Sequence, residues 1–174
     1  LGGAVALVAR NGHVGYHEAF GMMDANKPMA KDTLFRIASM SKPVTSVAVM
    51  ILYEEGHFML NDPLSKYIPE FKNATVIKEG SKEGDIQTEP ARQPVRIRHL
   101  LNHTSGITYG GKRHLGLYEK VNIKKGLEAS DVTLEKNIKN LARIPLISHP
   151  GEEFNYSLSI DVLGYLVEVV SGQN

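Results

Sequence analysis

The sequence predicts an α/β chain of the α+β kind, with an antiparallel sheet edge flanked by helices and a helical subdomain after it. Three features carry that prediction. Asn11-Gly12 stands between the apolar run Ala4-Val5-Ala6-Leu7-Val8-Ala9 and a segment in which Val14, Tyr16, Glu18 and Phe20 alternate with smaller or polar residues. A two-residue hairpin turn needs positive φ at both positions, which Asn and Gly accept most readily. After Pro43, the residues Val44, Val47, Ala48 and Ile51 recur at the spacing of one helix face, and the same period returns in Leu134, Ile138 and Leu141 and in Leu158, Val162, Leu166 and Val169.

In chain order, the first strand is apolar on successive residues and is expected to be buried on both faces, under helices packed on its sheet. Residues 21–34, with Gly21, Asp24, Asn26 and Pro28, read as loop. A helix is predicted from about Met40 to Glu55, with Pro43 in its first turn and Gly56 past its end. Asn61-Asp62-Pro63 starts a turn or short helix through Tyr67 that Pro69 ends. Residues 72–94 read as a solvated, ordered loop, and Arg98 to His103 as a short helix. Residues 109–126, rich in Gly and Lys, read as surface. A helix from Thr133 to about Ala142, the Pro150-Gly151 turn and a last helix from about Leu158 to Val170 complete the chain. The expected division is 1–60, sheet-edge hairpin and first helix, and 61–174, helical subdomain.

With 174 residues, 42% of them hydrophobic, the chain can bury one ordinary core. Twenty basic and 19 acidic residues leave a net charge of +1, so no global field favours nucleic acid or an anionic membrane. The absence of cysteine removes disulfides and thiolate sites. No secretory signal or apolar run of transmembrane length is present, and the chain opens on Leu1 rather than Met, which leaves a processed leader, a truncation and both exported and cytoplasmic locations open.

The candidate chemistry starts at Ser39 and Lys42. A serine hydroxyl needs a base within hydrogen-bond reach to act as a nucleophile. At a helix start, a lysine three residues on projects to the same side, and the helix dipole and burial should push it towards its neutral, proton-accepting form. The spacing alone is weak, because eleven serines and thirteen lysines yield about one such pair by chance. The plain alternative is that Ser39 or Ser41 caps the helix and Lys42 is solvated. Tyr156, just after the Pro150-Gly151 turn and before a helix, could relay a proton if a nearby cation lowered its pKa, but such a tyrosine is more often a core residue. His99 and His103 have zinc-pair spacing, yet no Glu follows His99 and no third ligand is spaced with them, so they are expected to be structural. His13 and His17 are expected at the surface, and neither a nucleophile elbow nor a phosphate loop is present.

Four blocks in order resemble the serine β-lactamase and penicillin-binding-protein superfamily, on the branch of the class C β-lactamases, D-alanyl-D-alanine carboxypeptidases and family VIII carboxylesterases. They are LFRIASMSKPVTSVAVMILYEEG, LNDPLSKYIPEF, IRHLLNHTSGI and HPGEEFNYSLSIDVLGYLVEVVSG. The resemblance implies a β-lactamase/transpeptidase-like fold without metal or cofactor. It makes Ser39 the acylated nucleophile, with Lys42 and Tyr156 sharing general-base and general-acid work, and His103-Thr104-Ser105-Gly106 a structural block. The family's Y-x-N motif reads Tyr156-Ser157-Leu158 here, without the amide that contacts amide-containing substrates. That looks more like the esterase members and implies ester hydrolysis or transesterification, with β-lactamase or D-alanyl-D-alanine carboxypeptidase activity, or a catalytically silent penicillin-binding-like protein, as alternatives. The family's third motif, a K-T-G or H-G-G type strand, normally lies far beyond the tyrosine, whereas this sequence runs to Asn174. The expectation is therefore that the chain holds only the N-terminal part of the fold, and that a second polypeptide or further segment supplies the remaining strands.

Overall fold

A computed structural model describes residues 2–114, 116–126 and 130–173. The chain forms two compact units, Leu1–Ala38 and Ser39–Asn174.

The first unit is a three-stranded antiparallel sheet in the order β1 (Gly3–Arg10), β2 (His13–Asp24), β3 (Lys27–Pro28). Arg10 pairs with His13, and the turn between them holds Asn11 at φ 51° and Gly12 at φ 76°, as the hairpin dipeptide requires. The register shifts between Val8 and Ala9, which leaves Gly15 without a partner and makes a bulge there. β2 and β3 extend through residues read as loop, because strand and turn residues alternate too closely there for a period to show. The two-sided burial expected of β1 is not met: Leu7 and Val8 are 55% and 60% exposed. The unit has no α-helix among its described residues to lie over either face.

The second unit carries the α-helices of the described residues: α1 (Ser41–Glu54), α2 (Ile97–Leu101), α3 (Leu117–Lys120), α4 (Leu134–Leu141) and α5 (Ser159–Ser171). Helices α1, α2 and α4 each pack on α5, whose Val162, Leu163 and Leu166 are fully buried. On α1 the buried residues are Val49 and Leu52, while Val44, Val47 and Ile51, the predicted inward stripe, are exposed. The helix is apolar on both sides, so its period could not tell which side meets α5. Its end follows the prediction. Gly56 takes φ 82°, its N–H donates to Tyr53 O and His57 N–H to Leu52 O, the two bonds of a Schellman motif. Thr133 caps α4 by accepting from Lys136 N–H at 3.2 Å, and Gly172, at φ 69°, ends α5.

Two segments are more ordered than their composition implied. Within 72–94, β4 (Thr75–Ile77) and β5 (Thr88–Pro90) form a short hairpin that buries Val76 and joins Leu146 through Ile77 N–H to Leu146 O and Leu146 N–H to Thr75 O. Within 109–126, His114, Tyr118 and Ile123 are buried. Isolated apolar residues among Lys and Gly leave no period to read. No helix among the described residues is long and apolar enough to cross a membrane.

Buried imidazoles give this unit a pH dependence. His99 is almost fully buried near Arg98 and Arg96, and its Nδ1 accepts from Arg96 N–H at 3.2 Å; burial first, then the two cations, lowers its pKa from 6.5 to about 4. Burial likewise lowers His114 to about 4. Above pH 6.5 these groups are neutral folded or unfolded and contribute no slope. Below it the unfolded chain takes up protons that the folded chain refuses, so stability falls from about pH 6.5 to about pH 4, by roughly 3 kcal/mol per histidine. Urea midpoints at pH 7 and pH 4.5 should differ accordingly, and His99→Gln should flatten the difference; a midpoint independent of pH over this range would contradict the assignment.

Candidate active site

Ser39 lies in a single 3₁₀ turn, Ala38–Met40, that runs directly into α1. Ala38 holds φ 45°, left-handed backbone that costs a residue with a Cβ about 1 kcal/mol, and this bend immediately precedes an exposed Ser39. Met40 is the cap residue of α1 and no side chain caps the helix, so neither Ser39 nor Ser41 is spent on capping.

Lys42, in the first turn of α1, points its Nζ to Ser39 Oγ at 3.4 Å and lies over Tyr156, 4.7 Å from the ring centroid. It lies over Tyr109 as well, at 5.8 Å. Burial alone would lower the Lys42 pKa, but hydrogen bonds from its ammonium to the phenol oxygens of Tyr156 and Tyr109 outweigh burial, and the net shift is upward. The neutral lysine expected from helix dipole and burial is therefore not the resting form. Tyr156 moves the other way: a hydrogen bond from Ser39, then one from Lys42, stabilises its phenolate and lowers its pKa, against small opposing effects of burial and the Asp161 carboxylate. A serine hydroxyl beside a phenol oxygen whose basic form is stabilised by an ammonium is an arrangement suited to proton removal.

The neighbours of Tyr156 hold it in place. Asn155 N–H donates to His103 O at 2.8 Å, tying the tyrosine loop to the segment after α2. The His103 ring stands 4.8 Å from that of Tyr156 and 5.9 Å from that of Phe154, and Tyr109 closes the other side at 6.0 Å. His99 and His103 do not converge: one bonds Arg96, the other contacts Ser157 Oγ at 3.3 Å. Tyr109 is the residue that the sequence reading missed. It falls in a stretch read as surface, and only its position directly after the HTSGIT block hinted at a role.

An open cavity of about 910 Å³ lies beside β4, away from this site. Its charged walls are largely paired among themselves, Arg92 with Glu152, Arg113 with Glu153 and His149 with Glu89. At Ser39, by contrast, Lys42 and Tyr156 converge on a hydroxyl.

The family model described as Beta-lactamase matches residues 1–174. Esterase EstB of Burkholderia gladioli is 41% identical over 176 residues, a match covering 99% of this chain and 42% of that protein. Among solved structures, EstCE1, described as a hydrolase with promiscuous acyltransferase activity, is 40% identical with a TM-score of 0.82, covering 99% of this chain and 43% of that one. Simvastatin synthase (LovD) of Aspergillus terreus is 28% identical with a TM-score of 0.75, covering 100% of this chain and 44% of that one. The chain thus spans less than half the length of these relatives, and over that span it has their mixed α/β architecture.

Proposed function

Because the chain belongs to the Beta-lactamase family, we propose that it carries the nucleophile and proton-transfer groups of a serine hydrolase that acts on carboxylic esters through an acyl-enzyme on Ser39. The supporting observation is the convergence of Ser39, Lys42 and Tyr156, brought from positions up to 117 residues apart, with the hydroxyl directed at a phenol oxygen of lowered pKa. Ser39 Oγ attacks the ester carbonyl as its proton passes to the Tyr156 oxygen, with Lys42 supplying the positive charge that steadies the phenolate. Collapse of the tetrahedral intermediate breaks the ester C–O bond, and the leaving alkoxide takes that proton. Water, or an alcohol in transesterification, then loses a proton to the same oxygen and attacks the acyl carbonyl; the acyl–Oγ bond breaks, and Ser39 Oγ takes that proton back from Tyr156, restoring both groups. The Ser39 N–H is one oxyanion donor.

Ester substrates are favoured over lactams because Leu158, two residues past Tyr156, is fully buried and offers no amide to the substrate. The similarity to Esterase EstB and EstCE1 supports the same choice. Activity of the full-length protein towards a short-chain p-nitrophenyl ester should exceed that towards nitrocefin by kcat/KM. Clearly better lactam turnover would favour the β-lactamase or carboxypeptidase alternative, and no Ser39 labelling by a fluorophosphonate or a penicillin would favour a catalytically silent protein.

The second oxyanion donor and the rest of the sheet belong, in this proposal, to a segment outside these residues, on this polypeptide or a second one. Exposed Leu7, Val8, Tyr16 and Phe20 in the hairpin, and exposed Val44, Val47 and Ile51 on α1, support the need for further cover, as does the length of the relatives. Residues 1–60 would then serve as sheet edge and nucleophile helix, and 61–174 as the tyrosine-bearing subdomain.

A further inference from the structure

Behind Tyr156 lies a chain of buried hydroxyls that the mechanism does not use. Ser157 Oγ is 3.3 Å from His103 Nδ1 and 2.7 Å from Ser159 Oγ, and Ser159 Oγ is 2.8 Å from Ser105 Oγ. All three serines are fully buried, and His103 is nearly so. Two backbone N–H groups feed the chain: Ile107 donates to Ser105 Oγ and Ser159 to Ser157 Oγ, both at 3.2 Å.

Each hydroxyl has one proton to donate, so none can donate to two neighbours, and the direction of the His103 contact decides whether all three protons find acceptors. If His103 Nδ1–H donated to Ser157, one of the three hydroxyls, whichever way the others turned, would be left with none of the described residues to accept its proton, an unpaired donor in a fully buried position. In the other direction Ser105 donates to Ser159, Ser159 to Ser157 and Ser157 to His103 Nδ1, and every hydroxyl proton has an acceptor. We propose that this buried serine relay fixes His103 as the neutral imidazole protonated on Nε2, and that His103 so held is a positioning residue for Tyr156. The ring that stacks on Tyr156 then carries no charge beside the Lys42 ammonium, and the lysine keeps its place against Ser39 and the phenol. This role rests on the hydrolase proposal; the tautomer does not.

The two ends of the relay behave differently under the same truncation. Ser105→Ala shortens the chain but leaves Ser159 donating to Ser157 and Ser157 to His103, so the tautomer should be unchanged. Ser157→Ala removes the donor to Nδ1, so its selection is lost. In the ¹⁵N-histidine-labelled full-length protein at neutral pH, long-range ¹H–¹⁵N spectra should show His103 protonated on Nε2 alone in the wild type, in Ser105→Ala and in Ser157→Thr, and as a mixture in Ser157→Ala. Labelling of Ser39 by a fluorophosphonate should slow about tenfold in Ser157→Ala and recover in Ser157→Thr. An Nδ1-protonated or doubly protonated His103 in the wild type would overturn the proposal, as would equal effects of Ser105→Ala and Ser157→Ala, the result that packing alone gives. Absence of wild-type labelling would count against the hydrolase proposal and against the positioning role, while the spectra would still decide the tautomer.

Discussion

Ser39→Ala in the full-length protein should lower ester turnover by about 10⁵-fold and abolish the mass increase that marks the acyl-enzyme. The size of the effect follows from what remains. Lys42 and Tyr156 keep their positions, since Lys42 also lies over the Tyr109 ring and the Tyr156 ring is held by His103 and Tyr109. Neither can form the covalent ester, so what is left is direct attack by water without an acyl-enzyme. Stability should scarcely change, because Ser39 is exposed and caps nothing. Substantial turnover by a folded Ser39→Ala protein would place the nucleophile elsewhere.

Tyr156→Phe should reduce kcat by about 10³-fold with the fold intact. The ring contacts survive the change, and the phenol is 47% exposed, so no buried partner is orphaned. What is lost is the oxygen proposed to take the Ser39 proton. The same assignment gives the pH profile a sign. Activity needs the phenolate, so kcat/KM should rise with pH through the Tyr156 pKa, which lies below the ordinary 10.0 because Ser39 and then Lys42 stabilise the ionised form. Lys42→Met removes one of those two groups and should move the limb to higher pH, besides lowering the maximum. Added salt should shift it the same way, since the pair is solvent-accessible and screened. A limb that stays in place in Lys42→Met would mean that another group titrates.

The local elements were legible in the sequence because local chemistry makes them. Asn11-Gly12 imposes its hairpin turn, Gly56 and Gly172 end their helices in left-handed backbone, and Thr133 caps α4. Four ordered blocks carried the family and, through it, Ser39, Lys42 and Tyr156 as candidates. Tertiary structure alone decided the rest. Which side of α1 packs is set by α5, more than a hundred residues away, and a helix apolar on both sides gives no hint of it. The protonation of Lys42 turns on whether phenol oxygens reach its ammonium, because burial and hydrogen bonding push its pKa in opposite directions and only their distances set the balance. Tyr109 and the Ser105–Ser159–Ser157–His103 relay were invisible for the same reason: hydrogen bonds between residues up to 54 positions apart leave no period or motif in the chain.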